Sequence, residues 1–119
     1  MSKKTFHNKA IKSLPREELI EVVTDVFRAL GDMTRVKILY ALQKDAMCVK
    51  DLAELTGISS SGVSHQMSYL RKLKFVKTKK VGNAVYYSLS YRHFAAILKE
   101  AEYYADHIKR GLADHPYKY

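Results

Sequence analysis

The sequence predicts a mainly α-helical protein with one small β-hairpin, folded as a single domain. Apolar residues recur every three or four positions in several segments, as they do on the buried face of a helix. Between residues 75 and 89 this spacing gives way to β-branched and aromatic residues around a glycine, which is typical of a hairpin. A chain of 119 residues has room for one compact core.

The folded domain is expected to span residues 15–112, between a flexible basic arm at 1–14 and a tail at 113–119. Pro15 suits the first turn of the first helix, because a helix leaves that amide unpaired in any case. Gly31 ends this helix, since glycine readily adopts the conformation that closes a helix. The arm is polar and has no apolar stripe of its own to bury.

The next three helices are separated by capping residues and by a glycine. Asp32 or Thr34 can accept hydrogen bonds from the free amides that start the second helix. A short helix follows over residues 49–56, and Gly57 stops it. A fourth helix is expected from about residue 60 to 73, where the preceding serines supply a cap; Ser59 and Ser60 are equally good candidates.

The hairpin and a long final helix complete the predicted order. Phe75–Lys79 and Val85–Leu89 are rich in strand-forming residues, and residues 81–84 form the tip between them. Helical spacing then resumes from near Tyr91 to about residue 110. The prediction is therefore helices, a hairpin and a closing helix.

Positive charge is concentrated in one continuous block. The chain has 21 Lys and Arg against 12 Asp and Glu, for a formal net charge of +9. Between Glu54 and Glu100 there is no acidic residue, whereas eight of the basic residues lie there. A surface that contacts phosphates gains from this pattern, because each neutralised phosphate releases counterions and a nearby carboxylate would oppose binding.

A short helix, a glycine turn, a second helix and a basic hairpin together predict a winged helix-turn-helix that binds duplex DNA. The second helix would enter the major groove, where small polar side chains allow close approach and Gln66 could pair with adenine through its amide. Basic residues beyond it would meet phosphates. The predicted DNA-binding residues are Ser60, Ser61, Ser64, His65, Gln66, Ser68, Arg71, Lys72, Lys77, Lys79, Lys80 and Asn83.

Other classes of protein are disfavoured. The single cysteine, Cys48, excludes a disulfide framework within the chain. We find no signal-peptide core and no apolar run of the ~18 residues that cross a membrane, so we expect a cytoplasmic protein without a membrane partner. No nucleophile elbow, phosphate-binding glycine loop or HExxH motif is present, so we expect no enzyme. Two further rivals are a winged helix that binds RNA or protein and a basic protein at a membrane surface, although the position of the lysines on the hairpin argues against the second.

Three runs of residues resemble the bacterial ArsR/SmtB family of winged-helix repressors. They are Cys48–Ala53 (CVKDLA), Val63–Gln66 (VSHQ) and Val85–Leu89 (VYYSL), and the resemblance extends over residues 18–110. It implies a homodimer that represses transcription from an operator near its own promoter. It also implies release from that operator when an inducer binds, which in this family is often a metal ion.

Both terminal helices of the domain carry more apolar surface than one small domain can cover. A monomer that exposed these apolar stripes would tend to aggregate, so we expect a second copy of the protein to cover them. A two-fold dimer would also present two reading helices to a pseudo-palindromic operator. The predicted interface residues are Leu19, Val23, Phe27, Phe94, Ile97, Ala101, Tyr104 and Ile108.

The ArsR/SmtB family has two types of metal site that can be compared with this sequence. The first needs Cys-Val-Cys at the start of the DNA-reading motif, but this chain has Cys48-Val49-Lys50, so a thiolate-rich site for a soft metal is excluded within one chain. The second lies on the last helix, where the family pattern Asp-x-His and His-x-x-His falls on Tyr91, His93, Tyr104 and His107. Two ligand positions are therefore tyrosine.

His93 and His107 are too far apart along one helix, about 21 Å, to bind one ion together. Across a two-fold dimer they could meet in a site for zinc, nickel or cobalt, with Asp106 or Glu102 as a carboxylate ligand, although neither is at the family position. The alternative is a regulator without a metal site, which responds to another signal or to none.

Overall fold

A computed structural model describes the backbone of residues 3–111 and the side chains from residue 8 onward. The helices of this range are α1 (Lys3–Ser13), α2 (Glu17–Leu30), α3 (Met33–Lys44), α4 (Val49–Thr56), α5 (Ser60–Lys72) and α6 (Phe94–Arg110). The strands are β1 (Met47–Cys48), β2 (Val76–Val81) and β3 (Ala84–Leu89), which form an antiparallel sheet in the order β1-β3-β2. No helix within residues 3–111 combines the length and apolar character that crossing a bilayer requires.

The first of two compact units reaches Val36 and contains α1 and α2. Helix α1 occupies the segment for which the sequence predicted a flexible arm, because a polar stretch without proline or internal glycine can still satisfy its backbone as a helix. The predicted extents of arm and domain otherwise stay predictions, and the tail at 113–119 lies outside the described residues. Helix α2 starts with Glu17 and Glu18, whose carboxylates interact favourably with the positive end of the helix dipole.

The second compact unit begins at Lys37 and holds most of the apolar core. Phe75, before β2, packs against Phe94 at the start of α6, with ring centroids 5.1 Å apart. The Tyr40 hydroxyl donates to Glu102 at 3.1 Å and so links α3 to α6; burial and then this carboxylate raise the pKa of Tyr40. The buried side chains of this unit are Ile38, Leu39, Leu42, Leu52, Val63, Met67, Leu70, Val76, Phe94 and Leu98.

The predicted hairpin forms, with a tighter tip than expected. Val81 pairs with Ala84, so Gly82 and Asn83 alone make the turn. Gly82 has φ +62°, which the first position of a two-residue hairpin turn requires and which side-chain-bearing residues rarely adopt. The sequence did not predict β1, which pairs with β3 through Cys48 and Tyr86, because a two-residue strand has no periodicity to detect.

The turn between α4 and α5 is closed by one glycine and one serine. Gly57 adopts φ +76° and its amide donates to the Ala53 carbonyl at 2.9 Å, which confirms that it ends α4. Ser59 caps α5, because its hydroxyl accepts a hydrogen bond from the Gly62 amide at 3.1 Å. Of the two candidate caps, Ser59 therefore has this role.

Ser59→Ala is expected to lower the free energy of unfolding by about 1 kcal/mol, because the Gly62 amide loses its acceptor. The measurement is urea unfolding of both proteins with a common slope. Ser60→Ala is the matched control, since the Ser60 hydroxyl makes no hydrogen bond within the described residues. Equal midpoints for all three proteins would contradict the capping role.

Candidate nucleic-acid interface

Helix α5 has one buried side and one exposed polar side. Val63, Met67 and Leu70 follow one another at spacings of four and three residues and are all fully buried. Because successive residues are about 100° apart around a helix, the opposite side must point away from the core. All the predicted DNA-binding residues of α5 except Gln66 are exposed, and these are Ser60, Ser61, Ser64, His65, Ser68, Arg71 and Lys72.

Gln66 differs from the other predicted residues of α5. Its side chain is half-buried, and it already has an interaction within the protein. It lies three residues after Val63 and four before Leu70, which places it on the shoulder of the buried side. Its role in reading bases stays a prediction, whereas Ser64 and Ser68 lie fully on the exposed side.

The wing, strands β2 and β3 with their turn, presents its lysines on two faces. Side chains alternate along a strand, so Lys77 and Lys79 share one face while Lys80 points to the other. All three are exposed, as is Asn83 at the tip. Lys79 is the register partner of Tyr86, so a half-buried aromatic ring lies beside this lysine, a neighbour that strand composition alone does not reveal.

The electrostatics of this surface are uniformly positive. Helix α5 and strands β2 and β3 contain no carboxylate. Arg71 and Lys72 lie in the last turn of α5, while the first turn of α5 offers the positive end of its dipole, which favours phosphate. The surface therefore combines polar side chains that suit the edges of DNA bases with cations that suit DNA phosphates.

Helices α2 and α6 each expose an apolar stripe. On α2 the stripe is Leu19, Val23 and Phe27, and the Phe27 side chain is 66% exposed. On α6, Tyr104 and Ile108 are 64% and 63% exposed. Ile97 and Ala101 continue the α6 stripe toward its start, and both are exposed. Each stripe follows helical spacing, so each forms a continuous apolar surface on its own helix.

Phe94 is a correction to the predicted interface. It is only 6% exposed, because its ring packs on Phe75 inside the unit. Leu98, one turn later, is also buried. Helix α6 therefore uses one side for its own core and an adjacent side for the exposed stripe, and Phe94 lies on the first.

The residues considered for a metal site do not come together in one protomer. His107 is half-buried and its Nδ1 is 3.0 Å from the Tyr103 carbonyl oxygen, with the two rings 4.2 Å apart. Asp106 forms an exposed ion pair with Arg110 at 3.3 Å. His93 precedes the first residue of α6 and is exposed. Within the described range, no three His, Cys, Asp or Glu side chains group as metal ligands would.

Cys48 has a structural role at the start of α4. Its backbone amide and its thiol both donate to the Asp51 carboxylate, at 3.3 and 3.2 Å. This arrangement satisfies an amide at the start of the helix. Lys50, where the thiolate-rich family site has its second cysteine, is exposed and positively charged, so the described residues do not fit a soft metal at this position.

A short helix, a left-handed glycine turn, a polar second helix and a basic wing define a winged helix-turn-helix DNA-binding protein. Residues 32–78 match the family described as "Bacterial regulatory protein, arsR family". The transcriptional regulator NmtR of Mycobacterium tuberculosis is 40% identical over 95 residues, which are 79% of each chain. The chain therefore belongs to the ArsR family of transcriptional regulators, as the sequence motifs indicated, and is not an enzyme.

Other proteins support the same assignment. A cadmium resistance regulatory protein CadC homolog of Staphylococcus aureus is 38% identical over 95 residues, covering 79% of this chain and 78% of its own. The solution structure of apo-NmtR superposes with a TM-score of 0.66 at 38% identity, over 87% of this chain and 89% of that one.

A more distant structure supports the fold alone. The homodimeric winged helix-turn-helix domain of Mb0332 from Mycobacterium bovis has a TM-score of 0.74 at 21% identity, over 87% of this chain and 99% of its own. The predicted fold class, mainly helical with a small antiparallel sheet, is confirmed.

Proposed function

We propose that this chain is a homodimeric repressor that binds a pseudo-palindromic operator and leaves it when an inducer binds. One observation carries the proposal: the exposed residues of α5 are polar or basic, the adjoining wing exposes lysines, and neither contains a carboxylate. Membership of the ArsR family supports the regulatory role. Its site of action is the cytoplasm, where operator DNA is found.

The DNA-binding residues have two proposed roles: some contact the DNA bases, and others contact the phosphate backbone of the DNA. Helix α5 lies in the major groove, whose width admits one helix, with hydroxyls from Ser61, Ser64 and Ser68 toward base edges. Arg71 and Lys72 contact phosphate beyond the groove. Lys77 and Lys79 of the wing contact the neighbouring phosphate backbone of the DNA. These roles rest on exposure and charge, and mutation tests them one by one.

Dimerisation uses the apolar stripes on α2 and α6. Their exposed aromatic and aliphatic side chains resemble the buried centre of a protein interface more than a solvated surface. A two-fold dimer presents two copies of α5 to successive major grooves, so the operator would have matching half-sites about one helical turn apart.

Lys79→Ala is expected to weaken binding to every duplex by about the same factor, because Lys79 contacts phosphate and not a base. The slope of log Kd against log salt should fall by about one unit. Fluorescence anisotropy at several salt concentrations, with operator and unrelated duplexes, measures both effects. Lys109→Ala, an exposed lysine near the end of α6, is the control and should leave the slope unchanged. An unchanged slope for Lys79→Ala would show that the wing does not touch DNA.

The inducer could be a metal ion, since one relative is a cadmium resistance regulatory protein. In this chain, zinc, nickel or cobalt would need His93 from one protomer with Asp106 and His107 from the other, because one protomer does not bring them together. Tyrosines at positions 91 and 104 favour the alternative, a regulator that responds to a signal other than a metal.

Titration calorimetry with zinc and nickel separates the two alternatives. The metal proposal expects binding tighter than about 1 μM by the unmodified dimer and its loss in the double variant His93→Ala/His107→Ala. Operator affinity of the metal-free double variant is the control and should equal that of the unmodified protein. Equally weak binding by both proteins would remove the metal proposal while leaving the DNA-binding function in place.

A further inference from the structure

A half-open cavity of about 400 Å³ lies in the second compact unit, and no residue of α5 lines it. It is formed where the end of α3, the end of β3 and the start of α6 come together. Cavities that bind small molecules have about 300–1,000 Å³, so the space suits a compact ligand. Its lining residues are Leu42, Gln43, Ser88, Leu89, Arg92 and Ala95.

The lining divides into an apolar part and a polar part. Leu42 is buried and Leu89 is half-buried, and together with Ala95 they provide hydrocarbon surface. Gln43, Ser88 and Arg92 provide a carboxamide, a hydroxyl and a guanidinium. A binding site for an organic molecule has this composition: mostly apolar walls with a few polar groups that fix its orientation.

The three polar side chains of the cavity are not engaged elsewhere. Within residues 3–111, none of Gln43, Ser88 and Arg92 has a side-chain hydrogen bond or an ion pair. The guanidinium of Arg92 therefore has no carboxylate partner in the described chain. A cation in this position, beside apolar surface, can pair with an anionic group of a ligand without first breaking an internal contact.

The positive charge of the lining favours an anionic ligand. No carboxylate lines the cavity, and Arg92 is its one charged residue. The backbone amides of Phe94, Ala95 and Ala96 already donate to carbonyls of the preceding turn at 3.0–3.3 Å, so recognition would rest on the side chains. A guanidinium matches the two oxygens of a carboxylate in a paired geometry that an ammonium lacks.

We propose that this cavity binds a small organic carboxylate, with the carboxylate on Arg92 and the apolar body against Leu42 and Leu89. The inference rests on the proposed regulatory function and adds an effector site that uses no metal. Strand β3 belongs to the wing and α6 carries an apolar stripe, so a ligand held between them touches both the DNA-binding and the proposed dimer-forming elements.

Benzoate is the probe, because it combines a carboxylate with a compact apolar ring. Backbone amide shifts of the full-length protein are followed by NMR during titration with benzoate and, separately, with benzamide, its uncharged analogue. We expect saturable shifts at Gln43, Ser88, Leu89, Arg92 and Ala95 with a Kd of about millimolar, which is reasonable for a ligand of this size. The Kd for benzamide, taken from the same shifts, should be at least about tenfold higher than the Kd for benzoate.

Arg92→Gln should weaken benzoate binding at least about tenfold, because the charged partner is lost. Lys99→Gln removes the same charge from an exposed residue that does not line the cavity and should bind benzoate normally. The absence of saturable shifts at the cavity, equal binding of benzamide, or normal binding by Arg92→Gln would each overturn the proposal.

A second measurement separates this inference from the proposed function. Operator affinity of the same protein is measured by anisotropy without benzoate and at saturating benzoate. Normal operator binding without benzoate supports the regulatory function whatever the NMR result. A change of at least about threefold at saturation, absent in Arg92→Gln, is expected for an effector site, since coupling between two sites is reciprocal. Unchanged affinity despite saturation would overturn the effector role.

Discussion

Ile108→Asp is expected to convert the dimer to a monomer and to lower operator affinity by at least about 100-fold. Ile108 is 63% exposed in the protomer and lies on the α6 stripe with Tyr104. If that stripe meets a second copy, the substitution places a charge in an apolar interface where it has no partner. Loss of the second reading helix then removes the gain from binding two linked half-sites, which is typically 100-fold or more.

Light scattering measures the mass, and anisotropy measures operator affinity. Lys99→Asp is the control, because Lys99 lies on α6 about 180° around the helix from Ile108; it should remain dimeric. Circular dichroism checks that both variants are folded, and the exposed position of Ile108 argues that the protomer tolerates the change. A dimeric, tightly binding Ile108→Asp protein would place the interface elsewhere.

Ser64→Asp is expected to abolish measurable operator binding, with a loss of several kcal/mol from like-charge contact. Ser64 is exposed, about a quarter turn around α5 from the buried side, on the surface where the proposal puts DNA. A carboxylate there would face base edges and phosphates, and it would repel them. Stability should change little, because Ser64 is exposed and, as the fifth residue of α5, lies beyond the first turn where the helix dipole acts most strongly.

Ala96→Asp is the matched control for Ser64→Asp. It introduces the same charge at an exposed residue near the start of another helix, α6. It should leave operator affinity within about twofold, since a charge more than a Debye length from DNA is largely screened at physiological salt. Retained binding by Ser64→Asp would show that α5 does not enter the groove. Equal losses in both variants would attribute the effect to net charge.

Local chemistry explains why much of the fold was predictable. Gly57 ends α4 because glycine readily adopts positive φ, and this preference is visible without any tertiary contact. The hairpin was equally visible, because its strand formers flank a glycine that the turn requires. The acid-free block predicted the charge of the interface, since the charge of a residue does not depend on where the chain places it.

Other features depend on contacts between distant residues. Strand β1 exists because Met47 and Cys48 meet Tyr87 and Tyr86, far along the chain. Helix α6 has apolar residues on two adjacent sides, so spacing alone could not show that Phe94 belongs to the core. The cavity beside Arg92 has the same origin, because its lining comes from three elements that are separate in sequence.

The sequence by itself determined the order of α2 to α6 and the hairpin, the position of the glycine turns and the positive charge of α5 and the wing. These follow from conformational preference and formal charge, which each residue has on its own. Only the tertiary structure decided which side of each helix is buried, that Gln66 lies on a shoulder while Ser64 faces outward, and that Arg92 borders a cavity. Burial is a property of packing, and packing is fixed by contacts between elements that lie far apart in the chain.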